Sequence, residues 1–316
     1  MKKAVQYQVV PLKDIDLAND RYTLSPFAPK ADPQLRASIA ELGLLRPPLL
    51  VADKNKKFIV LSGRKCLKIL SELEPDSTVT ALVLCQPDNQ LLLCKTLLQH
   101  QLGGAPLSLI EQAGFCQLAS KYLAPAEVVS LLPLMGLKAK PHLPAQLIAL
   151  LALEERVQEG VHLGIISQRA ARKLAQFSPS DQHTLAGVIS TFQLGGSKQQ
   201  QLIDRVFELT RRMQLTAAEL LSQWLEEGDG EKELNRPQQA AAMLNRLQQE
   251  CQPRLAAEQD SFRAYCNRLA LPPAMRVSHT PSFENEAVSL EIEFPDREQL
   301  ADLLPQLESL LAEQGS

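Results

Sequence analysis

Between Phe58 and Leu70 the chain reads Phe-Ile-Val-Leu-Ser-Gly-Arg-Lys-Cys-Leu-Lys-Ile-Leu, and no other stretch constrains the fold as much. An apolar run ends in glycine and a segment with apolar side chains at helical spacing comes next, which predicts strand, tight turn and helix in that order. The first N–H groups of such a helix have no intrahelical partner, so the turn draws anions. Arg64, Lys65 and Lys68 add side-chain charge at the same place. Strand, glycine and helix also occur together as plain scaffold, and both readings stand at this point.

The flanking sequence supplies the rest of a small α/β unit. Val5 to Leu12, continuing to residue 17, reads as a strand and turn, followed by an irregular stretch holding Pro26, Pro29 and Pro33. Asp32-Pro33 predicts a helix start, with Leu35, Ile39 and Leu42 as one buried stripe and Gly43 as its end. Leu49–Ala52 and Phe58–Leu61 are expected as strands joined by a charged turn over Asp53–Lys57, and Val79–Cys85 as a further strand.

This order of elements, carried by Asp32-Pro-Gln-Leu-Arg-Ala-Ser-Ile-Ala-Glu-Leu-Gly-Leu-Leu-Arg-Pro47 and Leu61-Ser-Gly-Arg-Lys-Cys-Leu-Lys68, resembles the N-terminal domain of ParB-type chromosome partition proteins, a fold shared with sulfiredoxin. The resemblance implies a divergent bacterial member of that family. Its Gly-Glu-Arg-Arg-x-Arg box cradles CTP phosphates; here Ser62, Gly63, Arg64, Lys65 and Lys68 hold those positions, with Cys66 in place of an arginine. Lysine is a point charge and cysteine offers little, so the bidentate geometry of arginine on phosphate is not expected to survive. The family's Glu-Asn-x-x-Arg box falls on Leu98-Gln-His-Gln-Leu-Gly-Gly, which lacks all three functional residues. Ser108-Leu-Ile-Glu-Gln-Ala113 fits the segment that comes after that box in the family. CTP with Mg2+ is thus the implied cofactor and its hydrolysis is expected to be weak or lost, with no catalytic residue assigned. Sulfiredoxin needs a cysteine directly after the box glycine, where this chain has Arg64. Cys66, beside Arg64 and Lys65 at a helix start, could have a lowered pKa, though a structural role is the simpler reading.

After Gly103-Gly104 helical patterns dominate. Ser108-x-x-Glu111 and Thr216-x-x-Glu219 are capping boxes, and Ser167 precedes an alanine-rich helix as a cap. Ala126–Leu137 resembles the first helix and turn of the family's helix-turn-helix, and a helix near Pro144 comes after it. Lys138, Lys140 and His142, with Arg169, Arg172 and Lys173 on the alanine-rich helix, are the candidate DNA contacts, suited to backbone phosphates more than to base edges. Helices are expected around Asp181–Thr191, Ser197–Met213 and Thr216–Leu225. Residues 226–237 read as a charged, glycine-bearing linker. The organisation is therefore an α+β multidomain chain: 1–102 a ParB/sulfiredoxin-like domain, 105–225 a helical helix-turn-helix-type domain, and 238–316 a module of helices, β-hairpin and a closing helix over Asp296–Glu313, a candidate dimerisation unit, with burial of its apolar stripe inside its own module as the simpler account.

Charge narrows the partners. The net charge is −3, but residues 284–316 carry nine acidic side chains and one basic one, a net of −8, which leaves +5 on the remainder. That excess permits nucleic-acid binding without establishing it. Six cysteines at irregular spacing contain no CxxC pair, so neither a zinc site nor a disulfide framework is indicated. No apolar run reaches the roughly 18 residues of a membrane span, and the expected location is cytoplasmic and nucleoid-associated. The leading expectation is a ParB-like DNA-binding protein of partition or regulator type, a homodimer, with a ParA-like ATPase as an implied partner. The alternatives are a non-catalytic protein-binding adaptor on the same scaffold, a CTPase or nuclease of this fold, and a thiol activity at Cys66.

Overall fold

The computed structural model describes residues 5–25, 27, 32–53, 57–85, 88–227, 235–269, 271–280, 287–301 and 304. They form two compact units, Met1–Ala240 and Ala241–Ser316.

The first unit begins with β1 (Val5–Pro11), a single 3-10 turn, β2 (Ile15–Asp16), α1 (Pro33–Leu42), β3 (Leu49–Ala52), β4 (Phe58–Ser62), α2 (Arg64–Leu73), β5 (Thr78–Leu84) and α3 (Gln90–Leu102). The strands make one mixed sheet in the order β1-β5-β3-β4-β2. β5 pairs antiparallel with β1, Val10 opposite Val79, and parallel with β3, while β3 and β4 form an antiparallel hairpin. Asp53 N–H donates to Lys57 O at 2.7 Å and closes that hairpin; its central residues lie outside those described. One sheet face, with Val10, Leu50, Val60, Val79, Ala81 and Val83, packs on Ile39 of α1 and on Leu67 and Leu70 of α2.

Sequence and structure diverge at two places here. Leu42, expected in the α1 stripe, is 59% exposed, because Gly43 ends the helix at that residue and turns the chain away. Helix α3 has no counterpart among the sequence expectations: its apolar residues lie almost all round it, so no 3.6-residue period shows in the sequence. It is capped by Asn89, whose Oδ1 accepts from Leu92 N–H at 2.9 Å, and it buries Leu93, Cys94, Leu97 and Leu98.

A helical layer comes next: α4 (Leu109–Ser120), α5 (Pro125–Leu131), α6 (Leu143–Ile148), α7 (Glu155–His162), α8 (Gln168–Leu174), α9 (Pro179–Phe192), α10 (Gly196–Met213) and α11 (Ala217–Glu227). The Ser108–Glu111 box closes in both directions, Glu111 N–H to Ser108 Oγ at 3.2 Å and Ser108 N–H to Glu111 Oε2 at 2.8 Å. Thr216 and Glu219 do the same at α11. α6 packs on α4, α9 between α7 and α11, and α10 on α8.

Helix α12 (Arg236–Cys251) crosses the division between units. The second unit continues with α13 (Pro253–Leu269) and a two-stranded hairpin of β6 (Met275–His279) and β7 (Val288–Ile292). The chain is helical again at 297–301; most of the closing helix expected over Asp296–Glu313, and residues 228–234 of the expected linker, lie outside the described residues.

Candidate anion cleft and nucleic-acid face

The turn after β4 is built around Gly63. Its φ of 94° lies in the left-handed region, and a Cβ there would stand 3.0 Å from Pro48 Cβ. Glycine therefore satisfies both the backbone conformation and the close approach. Gly63 caps α2 through its carbonyl, which accepts from Leu67 N–H at 3.0 Å, and no side chain caps that helix start. The open first turn faces a cleft of about 1140 Å3.

All five predicted phosphate residues, Ser62, Gly63, Arg64, Lys65 and Lys68, line this cleft, but they are not equally available. Lys65 Nζ lies 3.0 Å from Asp32 Oδ2, so it ties α2 to the cap of α1. Asp32 in turn is held below the usual carboxylate range by Leu35 N–H and by Lys65. Arg64 is half-buried and reaches back to Val60 O at 3.5 Å, and desolvation lowers its pKa. Lys68 is exposed.

Sequence reasoning missed half of the cleft's cationic residues. Arg21, Arg46 and Lys121 also line the cleft, giving six cationic side chains against two acidic ones, Asp20 and Glu111. In the sequence Arg46 reads only as part of a helix stop. Its guanidinium lies over Gly103-Gly104, where a Cβ on Gly104 would come within 2.5 Å of Nη1. The glycine pair that looks like a domain break is the bed for an arginine. His100, in the segment where the family's second box fails, also lines the cleft and bonds Ser62 Oγ through Nδ1 at 2.9 Å and Pro47 O through Nε2 at 3.1 Å. Burial and Arg46 lower its pKa. The floor is the segment Arg21–Ser25 against α4, where a Cβ on Gly114 would lie 2.0 Å from Leu24 O.

Cys66 corrects the expectation of a lowered pKa. Half-buried against the sheet core, its thiol is pushed up by desolvation, which outweighs Lys65 and Arg46. Among the described residues no three His, Cys, Asp or Glu side chains gather as metal ligands.

The candidate DNA residues fall in two places that α6 links. Lys138, Lys140 and His142 are exposed in the irregular run before α6, with His142 its capping residue. On α8, Arg172 Nη2 donates to Gln146 Oε1 of α6 at 3.0 Å, Lys173 pairs with Asp204, and Arg169 is exposed. α5, a 3-10 turn ending at Gly136 with φ 74°, and α6 succeed one another in sequence, with α6 only six residues long.

Together these elements define a basic cleft between a mixed sheet and a helical layer. Against known proteins, no family model matches the sequence and no curated protein does. Among solved structures the chain is similar to the C-terminally truncated chromosome-partitioning protein ParB from Caulobacter crescentus complexed to the centromeric parS site, at 17% identity and a TM-score of 0.36, over 62% of this chain and 98% of that one. It is similar to the same protein complexed with CTP-gamma-S, at 19% identity and a TM-score of 0.26, over 58% and 98%. A third similarity is to a Pnob8-like ParB-N domain, at 13% identity and a TM-score of 0.38, over 64% and 91%. No helix among the described residues is long and apolar enough to cross a membrane.

Proposed function

We propose that the chain is a ParB-like DNA-binding protein of partition or regulator type, whose basic cleft binds the phosphates of a nucleotide, CTP by the sequence resemblance. The observation that carries this is the left-handed Gly63 turn opening a basic helix without a side-chain cap into a cleft lined by Arg21, Arg46, Arg64, Lys65, Lys68 and Lys121. Phosphate oxygens are drawn by helix-start N–H groups and most strongly by arginine forks. The three arginines of the family box stand here as Lys65, Cys66 and Lys68, while Arg64 and, from the segment before β3, Arg46 bring guanidinium groups to the same cleft. Lys138, Lys140, His142, Arg169 and Arg172 supply exposed donors for a DNA backbone around α6 and α8. The helices from α4 to α11 act as the helix-turn-helix-type layer, and the second unit as a dimerisation module.

Two measurements test the reading. A ligand that binds only the native state must raise its stability, so CTP in excess is expected to raise Tm, and Arg46→Ala to abolish the rise. Fluorescence anisotropy on duplex DNA is expected to show log K falling linearly with log salt. DNA affinity that is absent at low salt, or insensitive to salt, removes the DNA part.

A further inference from the structure

Among the described residues three polar side chains are buried: Ser62, Gln182 and Gln199. The two glutamines satisfy backbone groups at helix ends. Ser62 instead bonds an imidazole, His100 Nδ1 at 2.9 Å, at the edge of the cleft. His100 Nε2 lies 3.1 Å from Pro47 O, and a carbonyl only accepts, so Nε2 carries the proton. In the neutral ring Nδ1 is then an acceptor, and the Ser62 hydroxyl donates to it. Burial and the Arg46 charge favour that neutral ring. A hydroxyl bonded to a base that a third group orients is the arrangement of an activated nucleophile. Arg46, Arg64 and Lys65 line the same cleft, where transferred phosphate charge would develop.

We propose that Ser62 is a phosphoryl acceptor and His100 its general base, the donor being a nucleoside triphosphate bound in the cleft. This rests on the reading of the cleft as a nucleotide site. In the step Ser62 Oγ attacks the terminal phosphorus as its proton passes to His100 Nδ1. The bond from that phosphorus to the bridging oxygen breaks, and the electron pair leaves with the nucleoside diphosphate. Phosphoserine results, beside an imidazolium that still donates to Pro47 O. A second serine–histidine pair, Ser108 Oγ with His162 Nδ1 at 2.8 Å, adjoins the cleft residues Phe27 and Glu111, so the position of the label, and not its rate alone, reports on Ser62.

The test incubates the full chain with each of the four common ribonucleoside triphosphates and Mg2+, reading Tm and intact mass in parallel, with peptide mapping of the product. The expected result is a mass gain of one phosphoryl group, mapped to the peptide holding Ser62 and absent from Ser62→Ala. His100→Gln, which keeps a polar side chain but no base, is expected to slow labelling by about 10^2-fold or more. A raised Tm without labelling overturns phosphoryl transfer and leaves the cleft reading standing; no rise in Tm with any triphosphate overturns both. Labelling that maps away from Ser62 also sinks the proposal, and since mapping is done on the unaltered chain it holds even where a variant fails to fold.

Discussion

At the residue scale, the cleft depends on glycines that make room for other groups. Gly63→Ala would place a Cβ against Pro48 in a left-handed backbone, and about 1–3 kcal/mol of stability is expected to go with it. Gly104→Ala would crowd the far end of the Arg46 side chain at 2.5 Å and make only ordinary contact with Gln101 O at 3.4 Å. Its expected effect is the reverse: Tm close to that of the unaltered chain, but a weaker rise in Tm with CTP, since the guanidinium is displaced. The pair Asp32–Lys65 gives a pH signature. Asp32 stays ionised to lower pH in the fold than in the unfolded chain, so its contribution is full above the ordinary carboxylate value of 3.8 and disappears as pH falls below it. Urea midpoints of the unaltered chain and Asp32→Asn should differ at pH 6 and converge as the pH is lowered through the carboxylate range. The cysteines provide a third check. Exposed Cys85 should react first with a maleimide at pH 7, Cys66 far more slowly, and buried Cys94 and Cys116, both pushed up to about 11, only on unfolding. Of these features, the Gly63 turn could be read directly in the sequence because glycine has few roles between a strand and a helix. Arg46 over Gly103-Gly104 could not, because nothing local links residues so far apart.

At the element scale, four helices of the first unit use the same glutamine device. Gln112, Gln158, Gln182 and Gln199 each stand four residues after the helix cap, and each Nε2 donates to the carbonyl just before that cap: Leu107 at 3.1 Å, Leu153 at 2.7 Å, Phe177 at 3.0 Å and Leu194 at 2.7 Å. Two of them also join helices. Gln182 Oε1 of α9 accepts from Glu154 N–H, the cap of α7, at 2.8 Å, and Gln199 Oε1 of α10 accepts from Ser167 N–H, the cap of α8, at 3.0 Å. Gln199 Nε2 also reaches Ile165 O at 2.7 Å. The bundle is thus stitched by amide side chains at helix starts. Gln199→Leu keeps the volume but orphans three backbone groups; with each buried unsatisfied group costing about 1–3 kcal/mol, a loss of at least about 3 kcal/mol is expected in urea unfolding. Most helices of this layer were legible from caps and apolar stripes. The stitches were not, because a glutamine in a polar helix reads as a solvated face, and only the fold shows that the face is covered. The same blindness applies to α3, whose nearly uniform apolar surface has no period to detect.

At the scale of the whole molecule, the described residues of the second unit are buried only on α12, at Leu244 and Leu247. α13 has no buried residue, and Val288 and Leu290 of β7 are 54% and 55% exposed. Cross-strand pairing puts Met275 with Ile292, Val277 with Leu290 and His279 with Val288, so one hairpin face is almost wholly apolar. Phe262 of α13 meets His279 at a ring separation of 5.5 Å, which covers one corner of that face. A two-stranded sheet is marginally stable alone in water, and an apolar face left open is a surface for association. A closed two-fold pair buries the same patch on both copies without leaving a further one exposed. The proposed homodimer therefore predicts a concentration-dependent dimer in sedimentation velocity. Leu290→Asp, on the exposed face of β7, should shift it to monomer while the melting of the first unit and its response to CTP stay unchanged. DNA affinity should fall in the same variant, because two copies of the α6 and α8 surface joined in one particle bind one duplex with an effective concentration that a single copy lacks. A Leu290→Asp chain that remained dimeric would place the contact elsewhere, and one that became monomeric with undiminished DNA affinity would separate dimerisation from DNA binding.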